Sequence, residues 1–248
     1  MPCRNNNPST KECMNNPSKN LKTLADIIKN YQETCSGEAY EAKYKANPND
    51  NDLRWFMHYD LNEILEMKDK SIKEVITRCI CNRKRHQYCI SKDAVKTATD
   101  KLMGEKSLHP YSCICDKDFE FLYGKLKSII GTVRGIGNST LYDACIRLGW
   151  SYSPQIKPDK YVYVHGDLIK SAEAILGDKF SQIKETGRPA ILRRKFIEAE
   201  KKFEKLSALD IENLLCIYHK DILNLYGIKK QFQKEQGRLG AHATSSLP

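Results

Sequence analysis

A chain of 248 residues is long enough for one large or two modest domains with a buried core, and 40% hydrophobic with 29% charged residues excludes wholesale disorder. The formal net charge of +10 favours an anionic partner: nucleic acid, an acidic protein or an acidic surface. No apolar run reaches the 18 residues that a membrane-spanning helix needs, so no membrane partner is expected.

Residues 1–20 are rich in Asn, Pro, Ser and Lys and read as a flexible tail without the apolar centre of an export signal. Ten cysteines in such a chain are expected as reduced thiols, which points to an intracellular protein, cytoplasmic or nuclear.

From Leu21 onward, Lys, Glu, Leu and Ala dominate and helices are expected at 21–34 and 38–46. Pro48 and the Asn and Asp residues after it break the pattern. One continuous helix is expected over 53–78, with Leu61, Ile64, Leu65, Ile72, Val75 and Ile76 on one stripe. The segment 82–86 is a charged connector, and a helix resumes at 92–102.

Phe119, Leu122, Tyr123, Leu126, Ile129 and Ile130 follow helical spacing closely, and Leu141, Ala144, Cys145 and Leu148 repeat it before Gly149, which reads as a residue closing the helix. Tyr161–His165 is the single β-flavoured run. Asp167 is a candidate cap for a helix ending at Gly177, Pro189 suits the first turn of another, and Ser207 with Asp210 forms a capping-box pattern. The expected fold is an all-α helical bundle. Its expected organisation is a tail (1–20), a helical region (21–116), a second helical region (117–236) and a terminal tail (237–248).

The chemistry concentrates between the two best-defined helices, in Arg134-Gly135-Ile136-Gly137-Asn138-Ser139-Thr140. Two glycines permit a tight turn and close approach of another chain, and Asn138 or Ser139 is expected to cap the second helix. Free N–H groups at a helix start suit a phosphate oxygen. This stretch resembles the helix-hairpin-helix motif of DNA repair and replication proteins, in which Gly-apolar-Gly precedes a helix with Thr or Ala near its start. The resemblance covers residues 119–149 and implies non-sequence-specific contact with phosphates, probing no base edges. DNA is the expected partner, with RNA left open. No cofactor is expected.

Charge agrees with that expectation. Residues 121–171 hold seven basic against three acidic residues, and residues 78–106 hold eight against three. Within the latter, Arg83, Lys84, Arg85 and His86 form a compact basic loop and a second candidate phosphate contact.

Two rival readings stand beside this one: a protein–protein adaptor and a repair enzyme. The motif is also found in helical DNA glycosylases of the endonuclease III type, and the stretch from Gly135 to Leu148, with Tyr161–His165 following, is similar to helix-hairpin-helix regions of uncharacterised bacterial proteins. In the bifunctional glycosylases a lysine nucleophile stands where this chain has Ser139, and an aspartate where it has Tyr163. Catalysis is therefore not expected from that machinery, although Asp159 and Asp167 lie near. The pairs Cys79/Cys81 and Cys113/Cys115, with Cys89 and His109, have spacing unsuited to zinc and read as structural thiols. His165 reads as a structural histidine beside a candidate role as general base.

Overall fold

The computed structural model describes residues 21–48, 57–82, 90–111, 117–180 and 190–227. Both tails and the Cys89, Cys113 and Cys115 positions lie outside these residues, as does the basic loop Arg83–His86. The described chain is mostly helical, as its composition predicts.

The first helix, α1 (Leu24–Thr34), starts at a reciprocal capping box in which the Asp26 N–H donates to Thr23 Oγ1 and the Thr23 N–H donates to the Asp26 carboxylate. Helix α2 (Gly37–Ala46) is capped by Ser36. The helix expected over 53–78 is two helices, α3 (Met57–Glu66) and α4 (Ile72–Ile80), separated by a 3-10 turn at Met67–Asp69. Ser71 explains the break. Its hydroxyl accepts from the Glu74 N–H while Glu74 takes the Ser71 N–H, so a new helix starts where periodicity alone sees one stripe.

Helix α5 (Lys92–Met103) begins at the Ser91 cap. Helices α6 (Phe119–Ile130) and α7 (Asn138–Ser151) follow, joined by the Gly-rich turn. Gly149 does not end α7, which runs on to Ser151. The chain then folds back so that the Ile156 N–H donates to the Gly149 carbonyl at 2.9 Å, and a side chain at 149 would collide with Ile156. That close approach is what glycine allows there.

The β-flavoured run forms β1 (Tyr161–Tyr163), and it has a partner the sequence did not announce. Ala190–Leu192, expected as the start of a helix, forms β2 antiparallel to it, with Val162 opposite Ile191. Helix α8 (Leu168–Leu176) lies between the strands. Asp167 precedes it without making a side-chain cap, and Gly177 closes it at φ +58°. Helix α9 (Arg193–Ala199), a 3-10 segment (Lys201–Lys205) and α10 (Ala208–Ile217) follow, the last starting at the expected Ser207–Asp210 box; residues 219–227 are helical again.

Apolar packing among the described residues divides into two large clusters, which do not follow a division at 116/117, and a small one around Tyr40 with Ala39 and Tyr59. The first joins α3, α4, α5, α6 and α7. The second joins α1 to residues 162–222. Strand β1 is the seam: Tyr163 enters the first cluster, while Val162 and Val164 enter the second. This is the alternation of a strand, which sends neighbouring side chains to opposite faces. Helix α7 is buried on nearly every side, from Thr140 to Ser151 with Asp143 as the exception. A helix enclosed in this way fixes its own first turn firmly.

Candidate functional site

The turn between α6 and α7 is built by two short hydrogen bonds, from the Val133 N–H to Ile130 O and from the Ile136 N–H to Val133 O, both 3.0 Å. Val133 and Ile136 point inward and are buried in the first cluster. Burying an isoleucine contributes on the order of 2 kcal/mol, so Ile136 anchors the turn between its two helices. The intervening residues Gly131, Thr132, Arg134, Gly135 and Gly137 face solvent.

The two glycines do different work. Gly135 has φ +97°, a region L-residues rarely adopt, and a Cβ there would stand 3.3 Å from the Ala94 side chain on α5. Gly137 has ordinary extended backbone, φ −90° and ψ 177°, and a Cβ on it would meet nothing within 4 Å. Its surface is therefore open, not strained.

Neither Asn138 nor Ser139 caps α7. Gly137 occupies the cap position, and no side chain accepts from the first turn. The first backbone bond of the helix runs from the Leu141 N–H to Gly137 O at 2.9 Å, so the N–H groups of Asn138, Ser139 and Thr140 have no partner among the described residues. Asn138 is exposed, Ser139 half-buried and the Thr140 side chain buried. Positive charge stands beside the turn. Arg134 is exposed within it, Lys101 Nζ lies 3.4 Å from Thr132 Oγ1, and the Lys127 stem flanks Gly131. One acid, Asp93, is exposed next to Ala94.

Not every cation counted in the sequence contributes. Arg147 is buried, donating to the Cys79 carbonyl at 3.0 Å and lying 3.8 Å from the buried Asp60 carboxylate. It joins α7 to α3 and α4 and adds nothing to the outer surface. Burial pushes the Cys79 thiol up to about 12, with the nearby Arg147 and Arg78 acting in the opposite direction. Cys81 is also buried, and the ring of His109 lies 3.2 Å from Met103 O. Among the described residues, no group of three metal-ligating side chains could hold an ion.

Behind the first turn of α7 the structure brings together three residues that are distant in sequence. Ser139 Oγ lies 2.9 Å from His165 Nδ1, and His165 Nε2 lies 3.5 Å from Glu212 Oε1. The second contact is an ion-pair distance without hydrogen-bond geometry. The His165 and Glu212 side chains are 14% and 6% exposed, so the contact is shielded from water. The Tyr142 ring packs on His165 at 5.7 Å, and burial, with the Glu212 charge, raises the Tyr142 hydroxyl well above its ordinary pKa. His165 owes its place to the strand before it and to the turn after it, where its carbonyl accepts from the Leu168 N–H.

Tyr163 is a core residue. Its ring stacks on Tyr142 at 5.2 Å and touches Tyr123 at 4.7 Å and Phe119 at 5.3 Å. Asp159 is exposed, and Asp167 is an exposed partner of Lys170 at 3.6 Å. Sequence reading singled out Ser139 and His165 separately but had no means of pairing them. Glu212 was missed, although an acid between Ile211 and Leu214 on a helix rich in apolar residues is the signal that would have found it.

No family model, curated protein or solved structure matches this chain. The candidate site therefore stands on its own geometry.

Proposed function

We propose that the protein binds nucleic acid, duplex DNA in the first instance, by holding backbone phosphates at the first turn of α7. The observation that supports this most directly is the set of unpartnered N–H groups on Asn138, Ser139 and Thr140 behind the open backbone of Gly137. Such groups carry the positive end of the helix dipole and can donate to a phosphate oxygen without reorganisation. Arg134, Lys101 and Lys127 add cations around the same point. Gly135-Ile136-Gly137 with Thr140 is similar to the helix-hairpin-helix signature, and the inward Ile136 suits that comparison. Arg83, Lys84, Arg85 and His86 are a second basic candidate for the same partner.

Phosphates look alike along any sequence, so binding should show little base preference and should respond to strand geometry such as nicks, gaps or bends. Fluorescence anisotropy with duplex, single-stranded and gapped DNA across a salt series is the test. The expected result is duplex binding that weakens steeply with salt, and a Gly137→Val variant that is folded but binds poorly, because its side chain occupies the phosphate approach. Wild-type affinity in that variant, or no salt-dependent retention of DNA at all, would overturn the proposal.

A further inference from the structure

We propose that Ser139, His165 and Glu212 are a hydrolytic centre for phosphodiesters, with Ser139 as nucleophile, His165 as general base and Glu212 as the residue that positions His165. This rests on the phosphate-binding reading of the α7 first turn, because Ser139 is the second residue of that same turn.

The carboxylate of Glu212 faces His165 Nε2 and favours the proton there, which leaves the Nδ1 lone pair to accept the Ser139 hydroxyl at 2.9 Å. A hydroxyl within hydrogen-bond distance of an imidazole that has a shielded carboxylate 3.5 Å from its other nitrogen is an arrangement that can activate serine for attack. Ser139 is half-buried, so the residue that meets His165 is not sealed from solvent. The neighbouring N–H groups of Asn138 and Thr140 have no partner and suit the charge that grows on the non-bridging oxygens during attack. A second serine–histidine pair, Ser171 Oγ to His219 Nδ1 at 2.7 Å, lacks this access. Ser171 is fully buried and also faces the Leu215 carbonyl.

The reaction balances without any further reagent than water. Ser139 Oγ forms a bond to phosphorus as its proton passes to His165 Nδ1. The bond from phosphorus to the departing alkoxide breaks, and that oxygen takes the proton from His165. Water then gives a proton to His165 and attacks the phosphoserine. The bond to Ser139 Oγ breaks, the oxygen recovers its proton, and a phosphate monoester leaves. On duplex DNA the product would be a nick.

The full chain is tested with bis(p-nitrophenyl) phosphate as the turnover probe and a fluorophosphonate as the covalent probe, read by peptide mass spectrometry. Wild-type protein should hydrolyse the diester and carry the phosphonyl adduct on Ser139. Ser139→Ala and His165→Gln should each lose on the order of 100-fold or more in kcat. Glu212→Gln should lower kcat about 10-fold with KM unchanged, whereas a merely structural role would move stability and leave the turnover of the folded fraction intact. Full activity in folded Ser139→Ala overturns the assignment. If Ser139→Ala fails to fold, the wild-type adduct decides alone. Duplex binding with neither turnover nor adduct overturns the catalytic inference and leaves the phosphate-binding reading standing. Turnover and adduct without duplex binding overturn that reading instead. Hydrolysis of p-nitrophenyl acetate but not of the diester overturns the substrate class.

Discussion

At the level of single residues, the described cysteines differ sharply in environment. Burial drives the Cys79 thiol to a pKa of about 12 and the Cys145 thiol well above its ordinary value, and an undissociated thiol is a poor nucleophile. Cys216 is exposed. Native protein treated briefly with iodoacetamide at pH 8 should therefore be modified at Cys216 and spared at Cys79 and Cys145, as peptide mapping would show. The two glycines of the turn make an equally sharp pair. Gly135→Ala forces a left-handed backbone on an L-residue and presses on Ala94, at a cost of about 1–2 kcal/mol. Gly137→Ala enters open space at an ordinary φ and should alter stability by less than roughly 0.5 kcal/mol. Urea denaturation of the two variants measures both. Equal midpoints would show that the turn tolerates a Cβ at either site.

Among the elements, α7 carries the most consequence for the first cluster, because α3, α4 and α6 pack around it. Arg147 projects from it into the first cluster, where it meets Cys79 O and Asp60. Replacing Arg147 with Met removes one member of a buried ion pair and leaves the Asp60 charge enclosed, for a loss of about 3–5 kcal/mol. Thermal unfolding checks this, and a double replacement, Arg147→Met with Asp60→Leu, should recover much of the loss. The legible parts of the fold were those written in local patterns. The α6 stripe, the α7 stripe and the Ser207–Asp210 box each follow from spacing within a few residues. The failures have one cause, which is that the deciding partner lies far away in the chain. Ala190–Leu192 is a strand because Tyr161–Tyr163 lies beside it, Gly149 stays helical because Ile156 returns to it, and Ser139 turns from capping to His165. Ser71 is the exception. Its capping box is local, but it was overshadowed by a hydrophobic stripe that continues across the break.

For the whole molecule, the proposed binding of nucleic acid, with a net charge of +10 and cations around the α6–α7 turn, predicts a binding free energy that depends on released counterions. Arg134→Ala and Lys101→Ala should each flatten the plot of log affinity against log salt by about one unit if each side chain meets a phosphate. A full wild-type slope in both would move the contact elsewhere on the surface.

The joining of α1 to the second apolar cluster has its own consequence in time. Tyr31 donates to the Asp210 carboxylate at 2.9 Å across 179 residues of chain, and the Asn30 amide reaches the Tyr218 hydroxyl at 2.8 Å. During synthesis, α1 therefore leaves the ribosome long before Ile211, Leu214, Leu215 and Tyr218 exist to cover it. The first cluster needs little beyond residue 163 and can consolidate early, while α1 waits with its apolar face uncovered. Closing so long a loop is slow, because its entropy is lost before the contacts form. A chain halted at residue 206 should show protected amides in α4 to α7 and rapid hydrogen exchange in α1. Protection of α1 in that shortened chain would mean the helix finds its cover earlier than the finished packing suggests.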